Sequence, residues 1–184
     1  MEIKKKDLTY KLDEENRTAT VVNCVAHRSP FSIEIPKEVT SNGIVYSVIA
    51  IGEWAFWDCA SLESISISDG VTSIEDNAFH GCASLKSITV PDSVTFIGDG
   101  AFYQCKSLKS IIIPDSVTSI GSFAFDYCRS LENIEIPDSV TSIGDYAFRW
   151  CTSLKSITIP GTEKAFPLWV SLMESGYADL VRQV

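Results

Sequence analysis

Residues 97–119 read IGDGAFYQCKSLKSIIIPDSVTS, and this stretch decides the fold. Ala101, Phe102, Cys105 and Leu108 stand three or four apart, a spacing that suits one helical or 3-10 turn. Ile111 and Ile113 are two apart, which suits a strand. Pro114 ends that strand, and Asp115-Ser116 supplies turn chemistry. Val117 leads back to the next Ile120. A unit of this size cannot bury its own apolar face, so it needs copies of itself above and below.

The copies are present. Ile51, Ile74, Ile97, Ile120 and Ile143 are spaced by 23 residues without insertion. The shared pattern is I-G-x-x-A-F-x-x-C-x-S-L-x-x-I-x-I-P-D-S-V-T-S. Stacked coils would lay its Ile, Ala, Phe, Cys, Leu and Val positions over one another as continuous columns, which is a solenoid. Five of the six cysteines, Cys59, Cys82, Cys105, Cys128 and Cys151, form one such column, and Cys24 stands outside it.

The ends depart from the pattern. Residues 1–32 predict an N-terminal β-hairpin cap, with strands over 8–12 and 18–25 and a turn at 13–17. Residues 33–50 read as a degenerate first coil, since Ile33-Glu34-Ile35-Pro36 copies the repeat. Asn42-Gly43 inserts a type I′ hairpin there. Residues 51–165 are the five repeats. Residues 166–184, apolar around Leu168-Trp169-Val170, predict a C-terminal helical cap with a short turn after Tyr177; a partner-binding helix would have the same amphipathic signature.

This pattern resembles the BspA-like leucine-rich repeats, over residues 33–160. The resemblance implies a leucine-rich-repeat solenoid of parallel strands joined by short helical or 3-10 turns. It also implies a secreted or cell-surface protein that acts in adhesion. The chain as given opens Met-Glu-Ile-Lys-Lys-Lys-Asp, with no apolar signal-peptide core. The expectation therefore divides between a removed targeting segment and a cytoplasmic scaffold or regulatory module.

Composition narrows the partner. The 184 residues carry a net charge of −9. Residues 1–50 hold seven basic and seven acidic groups, so the whole excess lies in 51–184. That argues against nucleic acid, whose phosphates need a basic face. No apolar run is long enough for membrane insertion. The expected partner is a protein, with a monomer as the default state.

Chemistry-bearing sets are thin. The cysteine column runs parallel, whereas a disulfide needs converging side chains and zinc needs ligands around a point. Small buried hydrophobes explain it better. Asp69, Asp92, Asp115 and Asp138 form a second column, suited either to Ca²⁺ or, as favoured, to Asx-turns that accept backbone amides. The Thr72, Thr95, Thr118 and Thr141 column suits solvent-facing extended chain. His27 and His80 lie far apart, with His80 expected as an exposed loop residue, and no triad, phosphate loop or metalloprotease motif occurs. Asn16-Arg17-Thr18 is a glycosylation sequon on an expected turn. No cofactor, metal or catalytic residue is expected; a hydrolytic or carbohydrate-active enzyme is the alternative from another class.

Two variable faces remain as candidate binding sites. Between the repeated Gly and Cys stand Trp54, Trp57, Tyr103, Phe123, Tyr127, Tyr146 and Trp150. These rings either anchor a partner or pack over neighbouring coils as an outer layer. On the strand side stand Lys86, Lys109, Glu132, Glu135 and Lys155, on a face expected to be flat and mixed in charge.

Overall fold

The structure is a computed structural model that describes residues 1–159, 161, 172, 176–177 and 179–183. β1 (Glu2–Lys5), β2 (Leu8–Asp13) and β3 (Thr18–Cys24) form an antiparallel meander. β4 (Phe31–Ile35) follows, and β5 (Glu38–Ser41) forms a hairpin with β6 (Ile44–Ile51). Asn42 and Gly43 at its tip have φ of 50° and 75°, as a type I′ turn requires. β3 lies parallel to β6, which joins the meander to the repeats.

Each repeat then contributes two short strands. One set is β7 (Leu62–Ile67), β9 (Ser87–Thr89), β11 (Ser110–Ile112), β13 (Asn133–Glu135) and β15 (Ser156–Ile159). The other is β8 (Ser73–Ile74), β10 (Phe96–Ile97), β12 (Ser119–Ile120) and β14 (Ser142–Ile143). Every pairing between repeats is parallel and in register: Ile65 opposes Ile88, and Ile97 opposes Ile120. β4 pairs with β7 in the same parallel sense, with a register shift between Phe31 and Ser32. On the first face β4-β7-β9-β11 form one sheet, and β13, β15 and β16 (Val181–Gln183) form another in that order.

The core is a file of identical side chains. Phe56, Phe79, Phe102, Phe125 and Phe148 are buried and stack ring on ring, with centroids 4.9–5.6 Å apart. The coil spacing is thus close to that of paired strands. Tyr177 meets the last ring edge-on at 6.0 Å.

The expected helical or 3-10 turn is absent, and the described residues hold almost no helix. From Gly52 to Cys59 the chain instead makes overlapping β-turns. The amides of Ala55, Trp57 and Cys59 donate three residues back within the coil. The alternate amides of Trp54, Phe56 and Asp58 donate to the carbonyls of Asp76, Ala78 and His80 in the next coil. A helix would keep all these bonds inside one coil; here half of them tie coil to coil. The alternation requires left-handed backbone twice per coil, at Trp54, Asn77, Gly100, Phe123 and Tyr146 and at Asp58, Gly81, Gln104, Tyr127 and Trp150. Eight of these ten are not glycine, and each such residue costs about 1 kcal/mol or more.

The glycine that follows Ile51, Ile97, Ile120 and Ile143, replaced by Glu75 after Ile74, has a different cause. A Cβ on Gly121 would sit 2.5 Å from the Asp99 backbone nitrogen, so the coils approach too closely for a side chain there. The C-terminal expectation is corrected in part. Residues 166–184 lie mostly outside the described residues, and Val181–Gln183 is a parallel strand against β15 and not a helical turn.

Phe102→Ala in the central coil should cost about 3–5 kcal/mol in urea unfolding, since the rings of Phe79 and Phe125 hold the cavity open. A loss below about 1 kcal/mol would remove Phe102 from the core. At Gln104, with φ of 60°, glycine should leave the midpoint unchanged or raised, whereas valine should lower it. The same urea series reads both.

Candidate functional site

The turns place the variable aromatics on one side of the solenoid. Trp54, Phe123 and Tyr146 occupy one left-handed column, and Tyr127 and Trp150 occupy the other. Their rings meet along the stack: Trp57 to Trp54 at 6.5 Å, Tyr103 to Tyr127 at 5.9 Å, and Tyr127 to Trp150 at 5.9 Å. Phe123 stacks on Tyr146 at 5.4 Å. Packing and exposure therefore coexist. The rings pack against one another along the file, yet Trp57 and Trp150 remain 61% and 56% exposed.

Two members escape a search for aromatics alone. His80 is half-buried, not an exposed loop residue; it lies between Trp54 at 5.4 Å and Tyr103 at 4.7 Å, and burial lowers its pKa. It completes the file across a coil that has no Trp, Tyr or Phe at that face. Arg149 is the other. Its guanidinium donates to Asp126 Oδ2 at 2.6 and 3.0 Å and lies over the rings of Phe123 and Tyr146, at 5.2 and 5.0 Å. Asp126 is fully buried, and its Oδ1 has no partner. Both residues stand in the column of Trp57, His80 and Tyr103, so reading that column as a set would have found them.

On the strand face, Lys86 pairs with Glu63 at 2.8 Å and Lys155 with Glu132 at 2.6 Å, each across one coil. The hydrogen bond from Lys155 holds the Glu132 carboxyl below its usual range. Glu135 and Lys109 are exposed. The face is not flat: a hollow of about 830 Å³ opens over Ile112, Asn133, Glu135 and Thr158. Ile112 is 77% exposed there, without apolar cover. The structure places the two candidate sets on different sides of the coil and does not bring them together.

The remaining columns are structural. Each of Cys82, Cys105, Cys128 and Cys151 donates its thiol to the Phe carbonyl of the preceding coil, at 3.1–3.3 Å. Cys59 lacks such a coil and reaches the Cys24 carbonyl at 4.0 Å instead. Burial pushes Cys82, Cys105 and Cys128 well up and Cys151 to about 12. The hydrogen bond from Cys24 lowers Cys59. The threonine hydroxyls donate to the preceding coil, as Thr118 does to Thr95 O at 3.1 Å. The Asx-turn expectation is corrected. Asp69, Asp92 and Asp115 are exposed and accept no backbone amide among the described residues. The neighbouring serines bridge coils instead: Ser93 and Ser116 donate to Val71 O and Val94 O at 2.6 Å, because their hydroxyls point along the stack. Among the described residues no His, Cys, Asp and Glu cluster could hold a metal, and no helix is long and apolar enough to cross a membrane.

Comparison with known proteins agrees with this geometry. The BspA type leucine-rich repeat region matches in six copies, over residues 31–100 and 49–168. A leucine-rich repeat protein of T. pallidum is 31% identical with a TM-score of 0.76, over 86% of this chain and 71% of that one. One from Bacteroides ovatus is 32% identical with a TM-score of 0.77, over 86% of this chain and 49% of that one. A leucine-rich cell surface protein from Faecalibacterium prausnitzii is 28% identical with a TM-score of 0.50, over 86% of this chain and 54% of that one. The chain thus spans about half the length of the latter two. No curated protein matches it.

Alkylation of the native protein should be slow at Cys82, Cys105, Cys128 and Cys151, because burial keeps these thiols protonated at pH 7. Cys59, whose thiol is held below its usual range, should react ahead of them, and urea should release all six. Mass spectrometry of timed iodoacetamide labelling checks this; fast native labelling of Cys105 would contradict the stacked interior.

Proposed function

The chain belongs to the BspA-type leucine-rich repeat family, whose members are generally protein-interaction modules, and from that premise we propose that it is a non-enzymatic binding protein acting in adhesion at a cell surface. The observation that carries the reading is the half-exposed file of rings from Trp57 to Trp150, held on rigid turns at an energetic cost. Exposed tryptophan and tyrosine are the commonest anchors of protein interfaces. A rigid array loses little freedom on binding. The strand face, with Lys86, Lys109, Glu132, Glu135 and Lys155 around the Ile112 hollow, is the second proposed contact surface. The surface location follows the F. prausnitzii relative, which is described as a cell surface protein. An intracellular scaffold would use the same faces on a different partner.

Trp57→Ser and Trp150→Ser should each weaken capture of the partner about tenfold or more, while the melting temperature stays nearly unchanged. Extracellular-matrix proteins and cell lysate, probed side by side with these variants, give the measurement. Retained capture together with a large fall in melting temperature would assign the rings to packing alone. Capture from the lysate only would replace adhesion by the intracellular reading.

A further inference from the structure

One column of the file lacks a ring in two successive coils, at Asn77 and at Gly100. In the third coil the left-handed position that carries Trp54, Phe123 and Tyr146 in other coils is Gly100, and a cavity of about 240 Å³ lies beside it. Its walls are the rings of His80, Tyr103 and Phe123, with Asn77 and Asp99 at its edge. We propose that this notch is a socket for an arginine side chain of the partner protein, an inference that rests on the aromatic side being the docking side.

Three observations support the guanidinium. First, one of these rings, Phe123, already takes one, as do its neighbours in the file. Arg149 lies over Phe123 and Tyr146, and Arg129 lies over Tyr127 at 5.4 Å. Both cations sit at the far end of the file, and the notch has none among the described residues. Second, the charge at the edge is unmatched. Asp99 is exposed; one of its oxygens accepts the Ser122 amide at 2.6 Å, and it has no ion pair. Asp76, which accepts the Asp99 amide at 2.8 Å, adds a second carboxylate beside it without an ion pair. Third, His80 adds no repulsion at the wall of the notch, because burial favours its neutral form. A planar guanidinium can stack between rings and also donate to Asp99 and Asn77, whereas a compact ammonium gains chiefly the charge term.

Calorimetry at physiological salt tests the socket, using acetylated and amidated Arg-Gly-Arg-Gly-Arg and its lysine counterpart. The wild-type protein should bind the arginine peptide at least about fivefold more tightly than the lysine peptide. Gly100→Asn adds a side chain at the notch, in a left-handed position that Asn77 already occupies one coil earlier, and displaces the Asn77 amide, whose oxygen lies 2.5 Å from the new Cβ. Tyr103→Ser removes one wall. Each should weaken the arginine peptide on the order of tenfold and erase the preference. Asp115→Asn, an exposed carboxylate on another corner, should change nothing, and melting curves establish that each variant folds. If Gly100→Asn does not fold, Tyr103→Ser and Asp99→Asn decide. Equal affinity for both peptides, no binding by the wild type, or an unaffected notch variant overturns the socket. If the socket fails while capture still depends on Trp57 and Trp150, the docking face stands. If capture is indifferent to both tryptophans, that face falls, whatever the peptides do.

Discussion

Alternate backbone amides in each turn point out of their own coil and into the next. The amides of Phe56, Phe79, Phe102 and Phe125 each donate to an alanine carbonyl one coil on, at 2.8 Å. This bond leaves little choice of register, since a slip by one residue would turn donors away from acceptors along the whole stack. The rest of the interior is a consequence. Once the turns are locked in register, equal positions must lie over one another, and the Phe rings can only form a file. The thiols find the Phe carbonyls for the same reason. The arrangement needs left-handed residues twice per coil, and the inter-coil bonds offset their strain.

A scaffold fixed by backbone and a few inner columns leaves its outer positions free. The column of Trp57, His80, Tyr103, Asp126 and Arg149 contains five different side chains on one backbone conformation. Even a buried carboxylate is accepted there, because Arg149 reaches Asp126 from the next coil. Such a pair is compatible with the fold but is no argument for its stability, since burying the charge opposes the attraction. Its visible effect is on the surface, where it holds a guanidinium across Phe123 and Tyr146.

The two faces differ in what they offer. The strand side joins exposed ion pairs, Lys86 with Glu63 and Lys155 with Glu132, to a hollow around Ile112. Exposed pairs of this kind add little affinity and serve better to orient a partner. The turn side offers large rings on a rigid backbone beside an excess of carboxylates. The relatives in T. pallidum and B. ovatus share the scaffold at about a third identity, which leaves room for different outer residues on the same coils.

The 23-residue period, the inner columns, the strand ends at proline and the Asn42-Gly43 turn were all legible in the order of residues. Each depends on local backbone preference or on alternation of apolar side chains, and both are written along the chain. The turns were misread because Ala101, Phe102, Cys105 and Leu108 have a helical spacing, and spacing cannot tell where an amide finds its acceptor. That acceptor lies in another coil. The same limit hid the coil-bridging serines, the place of His80 between two rings, the hold of Arg149 on Asp126, and the notch beside Gly100. Each joins residues about one period apart, and only the stacking distance of the coils brings them into contact.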